Sequence, residues 1–162
     1  IAPFKPLYIQ RITQLTNKSN QFNLTTRRYT QAEMEQISQS DEYVTLYGKL
    51  SDKFGDNGVV SVIVGRIDGE ELHIDLWLMS CRVLKRDMEL AMLDGLVRES
   101  KKHGIKRLIG TYIPSPKNKM VKSFYPAVLG FSQVSAASDG VMVWKLDIDD
   151  YENKNKYISI KE

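Results

Sequence analysis

Several side chains in this sequence are of types, and at spacings, that support chemistry. His73, Asp75 and Trp77 alternate along one run, so a β-strand there would put all three on one face and Leu72, Ile74, Leu76 and Leu78 on the other. On such a face Asp75 or His73 could serve as a general base, or the pair could simply be hydrogen-bonded and solvated. Cys81 follows at the end of the run beside Arg82; it reads either as a thiol of lowered pKa or as a small buried apolar residue. Asp87 stands where its carboxylate can cap a helix opening at Met88, and Lys85 and Arg86 place two cations just before it. Arg27 and Arg28 read as a basic docking face for an acidic partner or as solvated surface charges. His103 is a favourable charge at a helix C-terminus.

The composition limits what these groups can belong to. The 162 residues suit one domain; 42% are apolar and 27% charged, too apolar for a disordered chain. A net charge of +3 with no block of like charges argues against a nucleic-acid partner. A lone cysteine excludes an internal disulfide framework and a cysteine-based zinc cluster, so no metal is expected. No apolar run approaches the roughly 20 residues of a membrane span. The chain is therefore expected to be cytoplasmic. Its opening, Ile1-Ala2-Pro3, reads as the interior of something longer, with this chain as the C-terminal domain.

The elements that must position these groups follow from periodicity. Residues 6–18 carry a helical stripe of Leu7, Ile9, Ile12 and Leu15, and residues 22–29 favour strand. The Asn/Gln/Thr cluster over 20–26 is expected to satisfy its own backbone in a tight turn. Thr30 and Glu33 form a capping box that opens a short helix to about residue 38. Strands are expected at 43–50, 59–66 and 72–79. Turns at 55–58 and at Asp68-Gly69 make these an antiparallel meander. Met88, Met92, Leu93, Leu96 and Val97 predict a helix over 88–103. A strand over 106–113 precedes a helix over 117–125 that should stop at Pro126, and strands over 131–135 and 141–146 close the sheet. Residues 157–160 could add a short edge strand.

This order, with two motif regions, resembles the GNAT acyltransferases. Residues 81–87, Cys-Arg-Val-Leu-Lys-Arg-Asp, resemble that family's Arg/Gln-x-x-Gly-x-Gly/Ala turn. Asn118, Phe124-Tyr125 and Leu129-Gly130-Phe131 resemble its Asn…Phe-Tyr…Leu-Gly-Phe stretch. Residues 20–29, 54–58 and 77–84 further resemble the C-terminal GNAT-like half of FkbH-like proteins of the HAD superfamily subfamily IIIC. The resemblance implies an α/β GNAT fold: a mixed, mostly antiparallel sheet of about seven strands with helices on both faces. It implies a leading helix and linker over 1–20 from an upstream HAD-type domain, a GNAT-like domain over 21–147 and a polar tail over 148–162.

The resemblance also implies a site. Acetyl-CoA, CoA or phosphopantetheine on an acyl carrier protein would lie between the strands ending near residues 79 and 113. Leu78, Met79 and Ser80 would bind it through the backbone, with Arg82, Lys85, Arg86, Asp87, Met88 and Asn118 completing the site. Tyr125 would protonate the leaving thiolate, and Asp75 is the candidate base. Lys85 and Asp87 occupy the family's two glycine positions, and five steps rather than four separate Tyr125 from Gly130. Two readings therefore stand: an acyltransferase acting on an acyl or glyceryl unit, or a catalytically degenerate scaffold that holds the carrier protein or its pantetheine arm for the HAD-type domain. A dimerisation module is a more distant third.

Overall fold

The computed structural model describes residues 1–19, 22–52, 55–80, 88–149, 151 and 152. Helices α1 (Ile9–Lys18) and α2 (Gln31–Gln39) precede a three-strand meander, β1 (Tyr43–Asp52), β2 (Gly55–Asp68) and β3 (Glu71–Met79). Helix α3 (Met88–Lys102) then leads into β4 (Arg107–Tyr112), and β5 (Ser132–Ala136) and β6 (Met142–Asp147) complete a six-stranded sheet in the order β1-β2-β3-β4-β6-β5. Every neighbouring pair is antiparallel except β3 and β4. Among the described residues no helix is long and apolar enough to cross a membrane.

Two apolar layers hold the sheet. Ile9, Ile12 and Leu15 of α1 and Met34 of α2 pack on Val62, Val64, Leu76 and Leu78. On the opposite face Met88, Met92, Leu93, Leu96 and Val97 of α3 pack with Leu72, Ile74, Trp77, Leu108 and Tyr112. The start of α3 is held close to β1 because Gly48 has no side chain: a Cβ there would meet Met88 Cε at 2.3 Å and Met92 Sδ at 2.7 Å. Helix α2 begins as its residues require. Thr30 Oγ1 accepts from the Glu33 backbone N–H at 3.1 Å, and the Glu33 carboxylate accepts from the Thr30 N–H at 3.0 Å.

The structure departs from the sequence-based expectation at several elements. The sheet has six strands among the described residues rather than about seven. Residues 22–29 make only an isolated bridge, Asn23 with Leu78, because Thr26 turns to φ +53° and ends the extended run. Residues 55–58 belong to β2 instead of a turn, since pairing with β1 continues to Asp52↔Gly55 through two irregularities. The helix expected over 117–125 is a 3₁₀ turn, Lys119–Val121, followed by a wide turn, Phe124–Val128, closed by the Leu129 N–H on the Phe124 carbonyl at 3.3 Å. Pro126 sits inside that turn, whose five-residue step avoids the ring clash an α-helix would impose. The strand expected at 157–160 lies outside the described residues.

The alternation on β3 is also corrected. Val64 pairs with Leu76 and Gly65 with Ile74, so Asp75 is an extra residue on β3 and the faces exchange there. Leu72 and Ile74 share the α3 layer with Trp77 and Met79, whereas Leu76 and Leu78 face α1 and α2. His73, Asp75 and Trp77 do not form one continuous face.

Replacing Thr30 with Ala should cost about 1 kcal/mol of stability, because it removes the N-cap acceptor of α2. Urea unfolding of the two proteins measures this; an unchanged midpoint would mean that the cap contributes nothing.

Candidate functional site

The two parallel strands in the middle of the sheet are joined over only half their length. Pairs run from Glu71↔Arg107 to Ile74↔Gly110 and then stop, although β3 continues to Met79 and β4 to Tyr112. At the closed end Arg107 spans Glu71 and Asp147, at 3.0 Å to each. Beyond Ile74 the bulge at Asp75 re-aims β3, and the strands part. On its β2 side β3 is satisfied: the Ser80 N–H donates to the Val60 carbonyl at 2.7 Å, and Ser61 Oγ donates to the Leu78 carbonyl at 2.9 Å. Asp75, Trp77 and Met79 therefore turn backbone groups into the opening.

Residues 22–25 occupy that opening. The Leu24 N–H donates to the Trp77 carbonyl at 3.1 Å, the Met79 N–H to the Phe22 carbonyl at 3.0 Å, and Thr25 Oγ1 to the Asp75 carbonyl at 2.8 Å. On the other side the Ile113 N–H donates to the Leu24 carbonyl at 2.9 Å. The segment thus bridges the two parted strands. Its side chains Phe22 and Leu24 enter the α3 layer, where Phe22 and Trp77 both meet the Phe124 ring edge-on, at 4.8 and 5.3 Å between centroids.

Asn118, wholly buried, secures the arrangement. Its Nδ2 donates to the Asn23 carbonyl at 3.0 Å and the Ile113 carbonyl at 2.9 Å, and its Oδ1 accepts from the Ser115 N–H at 2.7 Å and the Tyr112 hydroxyl at 3.3 Å. Every hydrogen-bonding group of this side chain is engaged by the protein itself. Asn23 turns the segment, its Oδ1 accepting from the Thr26 N–H at 2.8 Å. Thr26 is held at positive φ, a conformation that costs a β-branched residue about 1–3 kcal/mol. The loop ends are anchored separately. Arg28 Nη1 donates to the Thr16 and Ser19 carbonyls at the end of α1, and Asn17 exchanges two hydrogen bonds with the Tyr29 backbone. Arg28, read from the sequence with Arg27 as a docking candidate, makes these two bonds through Nη1 and is otherwise exposed.

Tyr125 packs against β4 at Gly110. A Cβ on Gly110 would come within 2.3 Å of its ring, so the strand approaches the ring only because residue 110 is glycine. Its hydroxyl is buried beside the Thr111 backbone, at the apex where pairing ends, without a normal hydrogen bond among the described residues. Trp77 Nε1 is likewise buried and unpartnered among them. Burial raises the Tyr125 pKa far above that of free tyrosine, opposed by the Thr111 backbone and reinforced by the negative charge of Asp75. The Asp75 carboxylate lies 3.6 Å from Arg66 Nε. Burial, and then the same carboxylate, raise Tyr29 to about 12. Asp75 thus stands within electrostatic reach of a tyrosine on each side of the bulge.

The structure brings Asp75, Met79, Asn118 and Tyr125 to one opening. Leu78 points into the α1/α2 layer and Met88 into the α3 layer, while the Ser80 N–H is paired with β2. Arg82, Lys85, Arg86 and Asp87, with Cys81, lie outside the described residues. Among the described residues no cluster of three or more His, Cys, Asp or Glu is arranged to hold a metal. Sequence reasoning missed the place of residues 22–25. The Asn23/Thr26 turn signal was visible, but a turn signal does not say which strand edges the turn will meet.

No family model and no curated protein matches the sequence. Solved structures do match in fold. An aminoglycoside 6′-N-acetyltransferase complexed with coenzyme A has a TM-score of 0.69 at 12% identity, over 93% of this chain and 98% of that one. The ribosomal-protein-S18-alanine N-acetyltransferase from Escherichia coli has a TM-score of 0.65 at 13% identity, over 96% and 97%. The protein yncA from Salmonella typhimurium with its cofactor acetyl-CoA has 0.65 at 12% identity, over 95% and 96%. The GNAT domain of S. lividans PAT has 0.67 at 17% identity, over 90% and 88%. The chain has the fold expected from its sequence, that of the GNAT acetyltransferases.

Two substitutions probe this geometry. Asn118→Ala leaves the buried Asn23 and Ile113 carbonyls without that donor and should destabilise the domain by about 1–3 kcal/mol in denaturant unfolding. Gly110→Ala should cost a similar amount by overpacking against Tyr125, and Tyr125→Leu in the same chain should recover part of it; full additivity of the two changes would refute the contact.

Proposed function

We propose that this GNAT-fold domain is an acyltransferase domain acting on an acyl or glyceryl unit carried as a thioester on phosphopantetheine, presented by an acyl carrier protein or by coenzyme A. The observation that carries the reading is the parted edge of β3 and β4, which accepts an extended amide chain hydrogen-bonded to both strands. A pantetheine arm is such a chain: it is extended, carries two amides and can add to a strand edge as a peptide does. The fold likeness to structures described as complexed with coenzyme A or with acetyl-CoA supports the same ligand class.

Phosphopantetheine supplies an activated thioester, and the residues at the opening have complementary properties. In this reading the Met79 N–H, which donates to the Phe22 carbonyl in this structure, turns to the charge developing on the thioester oxygen. Asp75, whose carboxylate lies 3.6 Å from Arg66 Nε, is the base in this reading and takes the proton of an attacking amine or hydroxyl as the new C–N or C–O bond forms. Tyr125 is the acid in this reading, giving its hydroxyl proton to the thiolate as the C–S bond breaks; burial raises its pKa and opposes that transfer until the arm's polar groups reach it. An upstream HAD-type domain in the same chain and a cytoplasmic setting belong to this proposal as the source and context of the loaded carrier.

A second reading is supported by a specific observation. Residues 22–25 already hold the edge that the arm would take, and Asn118 is committed to holding them, as in a scaffold that binds the carrier protein without catalysis.

Calorimetry with coenzyme A, acetyl-CoA and a pantetheinylated carrier protein, combined with a thiol-release assay, separates the two. The acyltransferase reading predicts binding and turnover, with Tyr125→Phe lowering turnover about a hundredfold while affinity changes little. Carrier binding without thiol release would favour the scaffold. Absence of binding to all three would defeat both readings.

A further inference from the structure

We infer that residues 22–25 are an internal strand that closes the pantetheine track, and that an acyl-pantetheine donor binds only when this segment has left β3. The inference rests on the donor class proposed above. Its ground is mutual exclusion. A backbone N–H makes one good hydrogen bond, and the Met79 N–H is spent on the Phe22 carbonyl. The carbonyls of Asp75 and Trp77 accept from Thr25 and Leu24, and Ile113 on the facing strand is also taken. An arm lying along this edge would need the same groups and the same volume.

Leaving withdraws Phe22 and Leu24 from the α3 layer and breaks the Asn118-to-Asn23 hydrogen bond, so the closed state is the resting one and the ligand must offset that loss. The segment forms a single bridge with β3 rather than a ladder. The chain on either side has its own anchors: Arg28 on the last turn of α1, and Asn17 on the Tyr29 backbone. Thr26, at the turn, is held at positive φ and would relax on release. Below the segment lies an aromatic floor of Trp77, Phe124 and Tyr125, against which Phe22 packs edge-on.

The gate can be locked chemically. Asn23 and Leu78 are directly opposed in an antiparallel bridge, flanked by the Leu24-to-Trp77 and Met79-to-Phe22 hydrogen bonds, the close-pair geometry that a cross-strand disulfide suits. A chain carrying Asn23→Cys and Leu78→Cys, with Cys81→Ser to prevent exchange, would be titrated with S-acetyl-pantetheine, the portion common to both donors. The same sample would be measured oxidised and then reduced. We expect binding at least about thirtyfold weaker in the oxidised form, with recovery on reduction. Leu24→Gly, which loosens the segment in the otherwise native chain, should bind about tenfold more tightly than the native chain. Hydrogen exchange on the native chain provides a readout independent of these variants: the Leu24 amide, which the arm displaces from the Trp77 carbonyl, should lose protection at saturating ligand.

Equal affinity of the oxidised and reduced forms, or a Leu24 amide that stays protected with ligand bound, would overturn the gate while leaving the proposed donor intact. No binding by any form, Leu24→Gly included, would overturn the donor reading and the gate together.

Discussion

The functional geometry of this domain depends on where one set of hydrogen bonds ends. β3 and β4 are parallel and pair only as far as Ile74↔Gly110. Parallel strands normally lie in the buried centre of a sheet with both backbone edges satisfied. Here an extra residue, Asp75, turns β3 at the last pair, and neighbouring backbone groups lose their strand partners together. Because buried backbone groups are almost always paired, something with the hydrogen-bonding character of a peptide must lie in the opening. In this structure residues 22–25 meet that requirement.

The candidate chemistry is arranged around the same point. Tyr125 reaches the apex only because Gly110 presents no side chain, and its burial holds it in the protonated form. Asp75 is carried by the bulge itself, beside Arg66 on the α1/α2 side. Asn118 ties the loop after β4 to the segment in the gap, so the contents of the gap and the shape of its wall are coupled through one side chain. A buried amide with all its groups satisfied is both stabilising and specifying, since no other rotamer meets so many partners.

Much of the architecture was legible in the sequence. The capping box of Thr30 and Glu33, the Asp68-Gly69 hairpin and the apolar stripe of α3 are local patterns, and each formed where its residues predict. The misreadings share a cause. The face exchange on β3 comes from pairing with β2, and the extension of β2 to Gly55 comes from pairing with β1.

The sequence by itself determined the order of most elements, because this follows from periodicity and from caps and turns closed within a few residues. It also marked Asp75, Asn118 and Tyr125 as candidates by type and by resemblance. Only the tertiary structure decided that these residues meet at one opening, and that the opening is held by Phe22, Asn23, Leu24 and Thr25. The reason is physical. A strand edge is defined by hydrogen-bond partners some 50 to 95 residues away, as between Thr25 and Asp75 or Asn23 and Asn118, and no local pattern encodes which distant backbone will claim it.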